Sequence, residues 1–79
     1  MTSPRRILAR RIEHAGHVYT LAIAEISHHS DGLWRVSIEP FTHETPGTVY
    51  HPGTLRICNP TDPSQPFFDS AFEPKLIFK

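Results

Sequence analysis

The chain has 79 residues, with 8 Lys+Arg against 8 Asp+Glu and a formal net charge of zero at pH 7. That length suits one small domain, which buries only about 60% of the surface its unfolded chain exposes, so self-association would add to a thin core. The charge balance argues against a generic polyanion binder and lowers the repulsion between copies.

The chain opens Met1-Thr2-Ser3-Pro4-Arg5-Arg6, and Arg10 and Arg11 interrupt any apolar run that follows. No signal peptide or membrane span is expected, and a cytoplasmic location is the default expectation. Two turn signatures come next, His14-Ala15-Gly16 and Ser30-Asp31-Gly32. Glycine in third place suits a three-residue hairpin loop, a type I turn followed by a left-handed residue. Between and after the loops, β-branched and aromatic residues are dense. Trp34, Val36 and Ile38 alternate with Arg35, Ser37 and Glu39. The pattern predicts a three-strand antiparallel meander over residues 5–13, 17–27 and 33–42. A helix is the alternative for the first segment, with Ser3 as cap and Leu8, Ile12 and Ala15 on one face. It would place Arg5 and Arg6 at the positive end of the helix dipole, which is unfavourable.

Two three-residue loops set Glu13 opposite His17 and His29 opposite Leu33. The period of two then assigns the faces. The expected core face carries Leu8, Ile12, Val18, Ala22, Ala24, Ile26, Trp34, Val36 and Ile38, interrupted by Arg6, Arg10 and Thr20. The other face gives rows Arg5–Glu25–Ser37, Ile7–Ile23–Glu39, Ala9–Leu21–Phe41 and Arg11–Tyr19–His43, whose charge and arginine–aromatic neighbours are favourable. Its apolar middle should be covered, by the rest of the chain or by a second copy.

After Phe41, Thr45-Pro46-Gly47 and His51-Pro52-Gly53 read as turns around two short strands, residues 48–51 and 54–58. Residues 59–66 hold Pro60, Pro63 and Pro66 and read as irregular. Residues 75–79 read as an edge strand guarded by Lys75 and Lys79. With Phe67, Phe68, Phe72 and Phe78, the tail from 59 to 79 should pack on the rest of the chain. The expectation is an all-β domain spanning residues 1–79, a small antiparallel meander sheet with two or three added short strands, as a partly open barrel or a two-layer packing.

Six histidines call for a metal test. His14 and His17 lie roughly 30 Å from His28 and His29 along the middle strand, at about 3.3 Å per residue. Only His14, His17, His43 and Glu44 could converge, a set that would suit zinc. Arg5, Arg6, Arg10 and Arg11 could serve a nucleic-acid module, but on a strand they alternate between faces and form no stripe. Cys58 reads as a half-buried reduced thiol, not a nucleophile. No catalytic motif or spaced triad is present, so an enzyme is not expected. The leading expectation is a binding or protein-interaction module. It would self-associate through an edge strand or through an apolar face built from Tyr19, Leu21, Ile23 and Phe41, rimmed by Arg11 and His43. A nucleic-acid module and a small histidine-based metal binder are the alternatives. No cofactor is expected, and the partner is expected to be a protein or a second copy.

Overall fold

The computed structural model describes residues 4–43 and 46–79. They form β1 (Arg5–His14), β2 (His17–His28), β3 (Trp34–Pro40), β4 (Thr48–Cys58) and β5 (Lys75–Phe78). One sheet holds all five in the order β3-β2-β1-β4-β5, open at β3 and β5 rather than closed into a barrel. The expected meander is present: β2 is antiparallel to both β1 and β3. Residues 5–14 are strand, not helix. The sheet is nevertheless mixed, because β4 runs parallel to β1 before β5 returns antiparallel to β4.

The second hairpin forms as its residues dictate. Gly32 takes a φ of 85°, its N–H donates to the His29 carbonyl at 3.0 Å, and the His29 N–H donates to the Leu33 carbonyl at 2.9 Å. Asp31 tightens the loop by accepting from the Leu33 N–H at 3.0 Å and pairing with Arg35 at 2.6 Å.

The first hairpin differs from expectation by one residue. His14 pairs with His17, leaving only Ala15 and Gly16 in the loop. Both have positive φ, 51° and 79°, as in a type I′ turn, whose twist matches that of the strands. Alanine is a poor signal for that turn, because a Cβ disfavours the left-handed region. Replacing Ala15 with asparagine, which tolerates this conformation, is therefore expected to stabilise the protein by about 0.5–1 kcal/mol. An unchanged denaturation midpoint would count against the two-residue loop.

The slip exchanges the two sides of β1. Ile7 and Ala9 face the core, opposite Ala24 and Ala22, while Leu8 lies on the outer face beside Ile23. Arg6 rather than Arg5 meets Glu25, at 2.7 Å. Arg5 reaches Glu73 in the tail at 3.7 Å. Ile12 still enters the core as expected, because the alternation breaks between Ala9 and Ile12. At the same level Leu21 adopts a φ of 50°, and β4 shifts register against β1. Past this kink Tyr19 packs on the core and Val18 is exposed, the reverse of the expected assignment.

The kink folds the sheet back on itself. His14 and Val36 line one recess with Phe67. Through the ladder, however, Val36 pairs with Ile26 and Ile26 with Arg5, at the far end of β1 from His14. A flat sheet would separate those ends by about 30 Å. The concave side thus encloses Ile7, Ile12, Ala24, Ile26, Leu55 and Ile57.

The two short strands expected at 48–51 and 54–58 are one, β4. Pro52 and Gly53 make an irregularity inside it instead of a turn. Gly53 is needed there, since a Cβ would strike the backbone carbonyl of Lys79, which accepts from the Thr54 N–H at 3.0 Å. The tail packs on the sheet. Pro66 bridges to Cys58 and Ser70 to Trp34, so residues 66–70 span the mouth of the folded sheet. Phe67, 2% exposed, plugs it.

Candidate interaction surface

The expected contact face is partly assembled and partly dispersed. Ile23 and His43 line one hollow of about 280 Å3 with Arg6, Glu39, Pro40 and Thr42. Phe41 lies next to Leu21, donating its N–H to the Leu21 carbonyl at 3.2 Å. Tyr19 does not join them: it lies past the kink at Leu21, pairs with Ile12 and packs on the core. Arg11 is exposed beside Thr20, past the kink. Ile23 is buried. The reason is topological. β3 and β4 lie on opposite sides of the β2–β1 pair, and Thr42 and His43, which follow β3, lie beside Ile23. The chain itself thus covers part of the apolar face that sequence reasoning left open.

The histidines are scattered. β3 ends at Pro40, which pairs with Ala22, so it stops level with the middle of β1. His43 consequently lies in the outer hollow, away from His14 and His17, and Glu44 lies outside the described residues. His28 stacks on Trp34 with ring centroids 4.5 Å apart. His29 shares a hydrogen bond with Ser27 at 2.8 Å, and His51 meets Phe78 edge-on at 5.0 Å. Among the described residues, no three His, Cys, Asp or Glu side chains gather as a metal site. The arginines divide as well. Arg5 and Arg6 have acidic partners, while Arg10 and Arg11 are exposed.

A recess of about 530 Å3 opens at the end of the first hairpin, between His14, His17, Cys58 and the Pro63–Pro66 stretch. Glu13 and Arg56 pair across it at 3.3 Å. Cys58 is 1% exposed, more buried than expected. Burial pushes its thiol pKa up, which is the opposite of nucleophile activation.

Exposed apolar residues also lie on β4, and with Phe68 and Phe72 of the tail they are among the most exposed large hydrophobics. Val49 and Tyr50 are 65% and 54% exposed. β5 pairs only with Leu55–Cys58, and Lys79 adds two bonds to Thr54. No strand among the described residues pairs with the outer edge of residues 49–53. Sequence reasoning missed this edge because it read His51-Pro52-Gly53 as a turn. The available signal was composition: residues 48–53 contain no Asp, Glu, Lys or Arg.

No family model, curated protein or solved structure matches the chain. Among the described residues no helix is long and apolar enough to cross a membrane.

Proposed function

We propose that the protein is a small interaction module that self-associates through the open edge of β4. The observation that carries this reading is the mismatch between β4, residues 48–58, and β5, residues 75–78. It leaves an uncharged strand edge flanked by exposed Val49 and Tyr50. Edge strands are commonly guarded by lysines, prolines or bulges. β5 carries Lys75 at one end and Lys79 just past the other, whereas the β4 edge has only Pro52 and the bulge. A two-fold axis beside residues 49–53 sets this segment antiparallel to its copy, each following on from the other protomer's β5. Such a contact is self-complementary and closed, as in most dimers. The zero net charge offers little resistance to it.

Sedimentation velocity over a wide concentration range tests this reading. The expected result is a mass rising from monomer to dimer. The double variant Val49→Lys, Tyr50→Lys is expected to remain monomeric with its thermal midpoint nearly unchanged, since both side chains are exposed. A wild-type monomer at every concentration would overturn the proposal.

A further inference from the structure

We infer that the end of the first hairpin is a proton-operated latch: protonation of His14 at its buried Nε2 releases residues 59–70 and opens the core at Phe67. The inference concerns the fold of one protomer and does not depend on self-association.

Three observations meet at this ring. The backbone of Phe67 lies within hydrogen-bonding reach of the His14 ring, and the two residues line one recess. The ring's Nε2 is shielded from solvent and has no hydrogen-bond partner among the described residues, which leaves Nδ1 as the nitrogen able to meet Phe67. Recesses of about 530 and 400 Å3 flank the residue, one toward residues 63–66 and the other toward Phe67, Phe68 and Asp69. The hairpin end and the tail therefore meet at His14 with open space on either side.

A proton added to Nε2 creates a second N–H. Inside the closed joint that donor has no acceptor, and a buried unpaired charge is strongly disfavoured. Protonation brings no acceptor to the joint, so nothing there compensates. Nε2 is shielded in the closed joint, and lifting the tail exposes it to water. Among the described residues, the neighbouring carboxylates are already paired with arginines. From β2, His17 lies opposite His14 and adds repulsion when charged. Glu13 is the adjacent carboxylate on β1, and Arg56 on β4 binds it at 3.3 Å. Cys58, also on β4, contributes a thiol. From the tail, residues 63–66 carry no charge, and Asp69 is bound to Arg35 of β3 at 3.2 Å.

Burial lowers the pKa of His14 most strongly; the Phe67 bond raises it, and His17 lowers it again, for a net decrease. The unfolded or opened chain thus binds the proton more readily than the closed one. The contribution of this joint to stability is full above the ordinary histidine value of about 6.5 and is lost as pH falls below it toward the lowered value.

Amide exchange reads the latch directly. The Trp34 N–H donates to Ser70 at 2.6 Å, and the Ser70 N–H donates to Trp34 at 3.4 Å. Both bonds are lost when the tail lifts, while the β2–β3 ladder remains. Between about pH 7.5 and about pH 5, the protection factors of these two amides are expected to fall severalfold relative to the β2–β3 amides. The fall should disappear in His14→Phe, and in His14→Gln if the phenyl ring does not fit, but survive in His17→Phe. The inference is overturned by an equal fall in the non-titrating His14 variant, by a uniform loss across the sheet, or by no fall in the wild type.

Discussion

Phe67→Ala is expected to remove about 3–5 kcal/mol of stability, the usual range for deleting a buried phenyl ring. A chain of this length has a total of only about 4–12 kcal/mol, at the usual stability per residue. The variant should therefore lose a large share of its stability, from about a quarter to all of it. The expectation rests on position. Phe67 is 2% exposed, in a segment tied to β4 by Pro66 and to β3 by Ser70, and it packs against the concave core. Phe68, the next residue, is 69% exposed, and Phe68→Ala should stay within about 0.5 kcal/mol of the wild type. Urea titration separates the two, since a stability change moves the midpoint at constant slope. Equal, small effects would mean that the tail is not the lid of the core.

The second large effect tests the pairing of the first hairpin. Ile7→Ala is expected to cost about 2–5 kcal/mol, and Leu8→Ala distinctly less. Ile7 is 3% exposed, opposite Ala24. Leu8 is half-buried on the outer face. With a three-residue loop the order reverses, because a slip of one residue turns every side chain of the strand to the other side. Two truncations measured by the same titration thus decide the register. A larger loss for Leu8 than for Ile7 would reject the two-residue loop.

These variants also mark where sequence reasoning succeeded and failed. β3 was legible because Trp34, Val36 and Ile38 alternate with polar residues, so only one face can be buried. The Ser30-Asp31-Gly32 loop was legible because glycine stands where a positive φ is required. β1 gave no such guidance. Ile7 and Leu8 are adjacent and both apolar, so period two fits either face. Ala15 is not a residue that announces a type I′ turn. The expected contact surface broke at the kink instead: Leu21, Ile23, Phe41 and His43 remain near one another, while Tyr19 turns inward and Arg11 lies past it.

Local patterning by itself determined the strand content, the meander, the core positions Ala22, Ala24 and Ile26, and a tail too apolar to stay in solvent. Those follow from spacing along one segment and from the cost of exposing apolar area. Tertiary structure alone decided that β4 lies parallel to β1, that the sheet folds back at Leu21, that Phe67 rather than another phenylalanine fills the mouth, and that residues 49–53 are left without a neighbour. Each of these depends on which distant segments meet. Parallel pairing needs a crossover, so it depends on how distant segments are brought together rather than on any residue's own preference.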